Sequence, residues 1–369
     1  MAELLNTGPE AIERASRAIR EGQLVAFPTE TVYGLGAEAT NTTALARVFE
    51  AKRRPTFDPL IVHIARIEDL AAVADLSQLS VERRRLMDRL VEHLWPGPLT
   101  LILPKQPRIP DLATSALPTV AVRIPAHPVA QELLRRAGVP VAAPSANPFG
   151  YLSPTRAEHV LTQLGDKVDL IIDGGRCEVG VESTVLDMSS ELITILRPGG
   201  LSRERIELII GTVHLIDRTT SHPTAPGQLP SHYAPRAALS LYPAGAIPLQ
   251  FPYQGERLAC LFFSDESRDR WLAAYRKANP GQASFGTAPG DKEPPAGKEY
   301  PTGLEPPLCK VLSPSGTLVE AAANLFDILH QLDTLAVDRV LAEQVPDQDL
   351  GPAINDRLYK ARREAKDLH

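Results

Sequence analysis

The sequence predicts an α/β protein in which a large, twisted mixed sheet flanked by helices precedes a smaller α/β unit. Three observations carry that prediction. Up to residue 210, short apolar runs rich in β-branched residues alternate with segments of helical period. Residues 211–238 (GTVHLIDRTTSHPTAPGQLPSHYAPRAA) then lose periodicity and gather Pro and Gly, as an inter-domain linker does. From residue 239 strand and helix patterns resume on a smaller scale, and 369 residues are enough for two cores. The expected organisation is a first domain over 1–211, a linker over 212–238 and a second domain over 239–369.

The first helix is expected over 7–20. Thr7 and Glu10 stand at capping-box spacing, Pro9 suits the first turn, and Ile12, Ala15 and Ile19 share a face. Val25-Ala26-Phe27 reads as a strand end stopped by Pro28, and Gly34 and Gly36 read as tight backbone in the polar segment that follows. Residues 43–51 form a short helix with Leu45, Val48 and Phe49 on one face, and PLIVHI (59–64) a buried strand. Helices are expected over 67–75 and 81–94, the second opening with Arg83, Arg84 and Arg85 as a solvated face. A WPGP turn feeds a strand over 99–103, and TVAVRIP (119–125) is another. After a helix over 129–137, VPVAAPSAN (139–147) reads as an apolar strand ending in a polar turn. Ser153-Pro154-Thr155 caps a helix to about Leu164, strands follow over 170–175, 181–186 and 193–199, and a helix over 203–210 closes the domain. The second domain offers a strand at 257–263, a helix at 268–277, a Pro/Gly-rich loop over 279–307, a helix at 318–332, a short strand within 336–343 and a terminal helix over 351–363, with no catalytic constellation of its own.

Function concentrates between residues 25 and 63, where hydroxyls (Thr29, Thr31, Tyr33), three cations (Lys52, Arg53, Arg54) and the His63 imidazole converge from the ends of neighbouring elements. Such a set suits an anionic ligand; a turn beside a solvated basic cluster is the plainer alternative. Arg123 sits inside an apolar strand and needs a partner, either a structural ion pair or a carboxylate or phosphate ligand held bidentately. Ser145 and Asn147, two apart in extended backbone, share one face, where a hydroxyl and an amide suit phosphate oxygens or a hydrated cation.

Composition excludes several classes. A net charge of −6 and a pI near 5.9 provide no global basic field for nucleic acid. Cys177, Cys260 and Cys309 lie far apart, which indicates neither a zinc knuckle nor a disulfide framework and fits a reducing, cytoplasmic setting. No apolar run has signal-peptide or membrane-spanning length, so the chain is expected to be soluble. Neither phosphate loop pattern occurs, neither the eight-residue one ending in Gly-Lys-Ser/Thr nor Gly-X-Gly-X-X-Gly, and no His-Glu-X-X-His segment, serine elbow or Cys-His nucleophile arrangement is present.

In order along the chain, PTETVYGLG, Lys52-Arg53-Arg54-Pro55, PLIVHI, TVAVRIPAHP, APSAN, GVESTV and LRPG resemble the motifs of the Sua5/YrdC family. APGQLPSHYAP resembles that family's linker and LGPAINDRLYKA the end of the additional Sua5 domain, so the resemblance covers nearly the whole chain. It implies a YrdC-like catalytic domain with a smaller Rossmann-like domain behind it. The implied activity is that of an L-threonylcarbamoyladenylate synthase, which joins L-threonine, bicarbonate and ATP, releases pyrophosphate and supplies the intermediate for N6-threonylcarbamoyladenosine at tRNA position 37. RNA need not touch such an enzyme, and downstream tRNA threonylcarbamoyl transferase machinery would take the product.

Carried over by motif, the resemblance implies that Thr31, His63, Arg123 and Ser183 hold threonine, beside the Ala143 backbone. Arg54, Thr119, Ser145, Ser153, Arg197 and linker Tyr233 would hold ATP, with Lys52 and Asn147 completing the Lys-X-Arg and Ser-X-Asn pairs; Lys52 and Arg54, with a Mg2+ carried by ATP, would stabilise charge building on the phosphates. Asp58 stands where the family usually has Asn; a carboxylate facing ATP repels phosphate unless it meets a metal, the ribose or the base edge. Two alternatives remain. A carbamoyltransferase of related fold would bring zinc-finger-like cysteines that this chain lacks, and a non-catalytic RNA-binding module conflicts with the acidic pI.

Overall fold

The computed structural model describes residues 2–216, 227, 233–251, 256–279 and 307–362. The first domain's strands, in chain order, are β1 (Glu3–Leu5), β2 (Val25–Phe27), β3 (Gly34–Glu38), β4 (Ile61–His63), β5 (Leu99–Pro104), β6 (Thr119–Arg123), β7 (Val141–Ala142), β8 (Leu170–Ile172), β9 (Thr184–Asp187), β10 (Thr194–Arg197) and β11 (His214–Leu215). Among the described residues they form one mixed sheet in the order β1-β8-β2-β3-β7-β4-β6-β5-β9-β10-β11. Its helices are α1 (Pro9–Arg20), α2 (Thr42–Lys52), α3 (Val81–Leu94), α4 (Asp111–Thr114), α5 (Pro128–Ala137), α6 (Ala157–Leu164) and α7 (Arg203–Ile210). Beyond the linker, β12 (Ala238–Tyr242), β13 (Leu258–Ser264), β14 (Leu308–Ser313) and β15 (Arg339–Glu343) form a parallel sheet ordered β12-β15-β13-β14, with α8 (Asp265–Ala278), α9 (Leu318–Thr334) and α10 (Gly351–Lys360).

Alternation along the middle strands builds the site. Val62 on β4, Val120 and Val122 on β6, Leu101 and Leu103 on β5 and Leu186 on β9 point into the main core. Ile61, Ala121, Ile102, Val185 and, from β10, Leu196 make a separate apolar patch. Period two then puts His63 beside Ile61, and Arg123 and Thr119 beside Ala121, on that second face. The pairing of His63 with Arg123 across β4 and β6 sets two sequence-distant polar groups side by side.

Local expectations fail in instructive places. Gly34 and Gly36 lie within β3; a Cβ on Gly36 would sit 2.8 Å from the Phe27 ring and one on Gly34 3.2 Å from the Ala143 methyl, so these glycines serve close packing rather than a turn. The N-cap of α1 is Gly8, which defeats the capping-box register; Asn6 Oδ1 accepts the Gly8 N–H instead. Residues 67–75 form no α-helix but a 3-10 turn over Ile67–Ala72. Of 139–147 only Val141 and Ala142 form a strand, and Ser145 makes an isolated bridge to Gly34 of β3. Ser153 and Thr155 do not cap α6, whose N-cap is Arg156. β1, β3, β11, β12 and β14 are additional strands with no counterpart among the expected elements. Cys260 and Cys309, distant in sequence, stand in register on neighbouring β13 and β14 as free thiols.

The second domain docks on the loop that leads into β9. Gly180 has φ of 75°, and a Cβ there would fall 2.5 Å from the Ala322 carbonyl oxygen of α9, so only glycine permits this approach. Around it Arg176 donates to the Ala323 carbonyl at 2.7 Å and Arg156 pairs with Asp327 at 2.9 Å, while the His330 ring stacks on His159 at 3.8 Å.

Candidate functional site

The cavity opens on the second face of the large sheet. At one end stand Thr31, His63, Arg123, Ala143 and Ser183; at the other Arg54, Ser145, Glu182, Arg197, Gly227 and Tyr233. Local bonding makes the first end rigid. Thr29 Oγ1 donates to the Val32 carbonyl at 2.6 Å and so receives the Thr31 hydroxyl at 2.8 Å, leaving Thr31 Oγ1 to accept from Arg123 Nη1 at 2.9 Å. Arg123 also donates to the Gly97 carbonyl and pairs with Glu30 at 2.6 Å, so the structural ion pair is real. Its two Nη groups carry four N–H bonds, more than these partners consume, which leaves donor capacity for a ligand carboxylate.

His63 Nδ1 faces the Ile61 carbonyl at 3.2 Å; a carbonyl only accepts, so Nδ1 carries the proton and Nε2 the lone pair. Burial, helped by the Arg123 charge, lowers its pKa to about 3, so the ring is neutral. The Ser183 hydroxyl lies 2.8 Å from Thr100 Oγ1 and accepts from Arg197 Nη2 at 3.1 Å. Arg197 donates a second bond, to the Ser183 carbonyl at 2.8 Å, which ties the two ends of the cavity together.

Several candidates stand behind the lining rather than in it. Lys52 Nζ, fully buried at the end of α2, donates to the Ser145 and Asn147 carbonyls at 2.5 Å each, so it holds the Ser-X-Asn turn in place. Burial and the neighbouring Arg54 push its ammonium well below the usual lysine range. Asp58 pairs with Arg54 at 2.9 Å, while Arg54 donates to the Asp58 and Pro59 carbonyls; burial raises the Asp58 carboxyl and the cations Arg54, Lys52 and Arg197 oppose it. Neither Asp58 carboxylate oxygen has a hydrogen bond of good geometry, and Asn147 Oδ1 is buried with none. Ser153 Oγ donates to Glu182 Oε1 at 2.5 Å. Thr119 is outside the lining, at the far end of β6, yet on the Arg123 face with the Ile61, Ala121, Ile102, Val185 and Leu196 patch between. His232 lies outside the described residues; Tyr233 is described, fully buried, with its ring 5.6 Å from Phe326 of α9.

Sequence reasoning missed four buried groups around the cavity: Glu30, Glu182, Thr100 and, from the second domain, Arg357, which meets Glu182 Oε2 at 2.9 Å. Glu30 and Glu182 sit next to Thr31 and Ser183 inside quoted motifs, a signal that was available. Nothing local distinguishes Arg357 from other helix-surface arginines.

Fold and cavity together define an α/β protein with a polar-lined cavity on one sheet face, between two domains. Residues 17–199 match the Sua5/YciO/YrdC family, described as telomere recombination, and residues 201–362 match the family described as threonylcarbamoyl-AMP synthase, C-terminal domain. The threonylcarbamoyl-AMP synthase of Bacillus subtilis (strain 168) is 38% identical over 97% of this chain and 94% of its own length, and that of Pyrococcus abyssi (strain GE5 / Orsay) is 39% identical over 95% and 93%. The crystal structure of P. abyssi Sua5 complexed with L-threonine superposes with a TM-score of 0.77 at 37% identity, covering 98% of this chain and 97% of that one. The chain belongs to the Sua5/YrdC family, in its two-domain form. Among the described residues, no helix is long and apolar enough to cross a membrane.

Proposed function

We propose that this chain is a threonylcarbamoyl-AMP synthase, which condenses L-threonine, bicarbonate and ATP to threonylcarbamoyl-AMP and pyrophosphate. The observation that carries this is the continuity of one sheet face. The Arg123–Thr31–His63 end suits an amino acid, the Arg54 and Arg197 cations suit phosphates, and the Ile61/Ala121/Leu196 patch running towards Thr119 suits a flat base. From Arg123 to Thr119 the strand spans about 13 Å, room for an extended nucleotide beside the amino acid. Threonine occupies the first end, its carboxylate on Arg123, its backbone groups beside Ala143 and its hydroxyl within reach of Ser183 or His63 Nε2, whose unpaired state would penalise an analogue without the hydroxyl.

The threonine amine takes up the carbon of bicarbonate, with a C–O bond broken and water lost; one oxygen of the resulting carbamate attacks the α-phosphorus, and the bond to pyrophosphate breaks. Arg54 and Arg197 meet the charge that builds on the phosphates; Lys52 acts through the Ser145–Asn147 turn that it holds. Asn147 Oδ1 and Asp58 are hard oxygen donors that fit a Mg2+ brought by ATP, and the ion, when bound, neutralises charge on the leaving pyrophosphate. Ser153 and Tyr233 shape the nucleotide wall. Residues 1–211 form the catalytic unit, 212–238 the linker over its site and 239–369 the second domain. The product passes in the cytoplasm to machinery that modifies tRNA, without RNA binding by this chain.

Purified protein given ATP, threonine and bicarbonate is expected to yield threonylcarbamoyl-AMP by mass detection with stoichiometric pyrophosphate. No product, together with salt-dependent RNA binding, would replace this reading with the RNA-binding alternative.

A further inference from the structure

The nucleotide end of the cavity contains a contradiction: its wall includes Glu182, a buried carboxylate, where a polyanion is to bind. An unpaired buried carboxylate would repel phosphate and would itself be costly. The partner that resolves this comes from the last helix of the second domain. Arg357, fully buried on α10, donates from Nε to Glu182 Oε2 at 2.9 Å and from Nη1 to the Pro198 carbonyl at 2.6 Å. Its guanidinium also lies 5.3 Å from the centre of the Tyr233 ring. One turn on, Lys360 Nζ donates to the Gly227 carbonyl at 2.7 Å, and Asp356 pairs with both cations. Glu182, Tyr233 and Gly227 all line the cavity; Arg357 and Lys360 do not.

We propose that Arg357 is a positioning residue for the nucleotide end: it neutralises Glu182 and backs the Tyr233 ring, so that a cavity with a carboxylate in its wall accepts the triphosphate of ATP. The second domain is then part of the nucleotide site, contributing through α10, while the threonine end stands without it. This rests on the synthase reading above. Arg357 is held by its Nε and Nη1 bonds, and Nη2 is buried without a hydrogen-bond partner.

The test compares Arg357→Met with the double variant Glu182→Gln/Arg357→Met. For Arg357→Met, KM for ATP is expected to rise about tenfold or more, while threonine affinity by calorimetry stays within about twofold of wild type. Removing the orphaned charge in the double variant is expected to return most of the lost ATP affinity. A double variant no better than the single, or equal proportional losses for ATP and threonine, overturns the proposal and leaves Arg357 as interdomain packing. Should Arg357→Met fail to fold, the double variant Glu182→Gln/Arg357→Met, which buries no unpaired charge, is expected to hold KM for ATP within about threefold of wild type; a loss beyond about tenfold in that folded variant overturns it too. Wild-type turnover separates the two readings: absence of product defeats the synthase, whereas normal wild-type product with an unrescued double variant defeats only the role of Arg357.

Discussion

The two ends of the cavity are built by different means. Thr31, His63, Arg123 and Ser183 stand on strand ends or in the short loops against them, inside one sheet, and each is held by neighbours from that sheet: Thr29, the Ile61 carbonyl, Glu30 and Thr100. The other end draws Arg54 from the loop after α2, Glu182 and Arg197 from around β9 and β10, and Gly227 and Tyr233 from the linker, braced by Phe326 and Arg357 of the second domain. A small amino acid can be enclosed by one rigid surface. A long polyanion has to be met from several elements, and the cost is a set of buried charges that must be paired across the domain boundary.

The largest effect expected from breaking this contrast is at Arg54. Arg54→Ala should lower pyrophosphate release about a hundredfold or more and cost about 3–5 kcal/mol of stability, because Asp58 is left buried without its guanidinium. Adding Asp58→Asn should return stability in a melting experiment but not activity; recovery of both would make the Arg54–Asp58 pair purely structural. The strand-built end should show its character in pH dependence. His63 stays neutral in the fold to about pH 3, whereas in the unfolded chain it takes up a proton near its ordinary value, so the unfolded state binds more protons and stability falls with falling pH. Between pH 7 and pH 5 that loss is about 2 kcal/mol, and denaturant midpoints of His63→Gln should show a shallower slope than wild type. An unchanged slope would mean that the ring is not buried neutral.

Ser183→Ala should act at the joint between the two ends, since its hydroxyl links Thr100 to Arg197. The expected loss is about 1–1.5 kcal/mol, roughly tenfold in kcat/KM for threonine; a change seen in ATP alone would move Ser183 to the other end. The smallest effect is expected from Thr119→Ala, at the edge of the apolar patch, with KM for ATP rising about threefold and threonine affinity constant. A threonine effect there would break the assignment of the sheet face from one end to the other.

Most strands and the polar cluster of residues 25–63 were legible because their signals are local. Gly34 and Gly36 misled because a glycine needed for close packing reads the same as one needed for a turn. Ser153 and Thr155 misled likewise, since a hydroxyl ahead of a helix reads as a cap whether it serves the helix or, as Ser153 does, a carboxylate 29 positions away. Spacing does not reveal what holds Lys52 and Asp58 in place, the Ser145 and Asn147 carbonyls for the one and the Arg54 guanidinium for the other.

Alternation in PLIVHI and TVAVRIP was enough to put His63 and Arg123 on the faces of their strands opposite Val62 and Val122, because side-chain direction in a strand depends only on the count of residues. That those two strands lie side by side, that Glu30 takes one edge of Arg123, and that an arginine 175 positions beyond Glu182 closes the far wall are matters of packing between distant elements. Burial of a charge is a property of the assembled molecule. Its solution, a counter-charge at the right distance, exists only once both domains have docked.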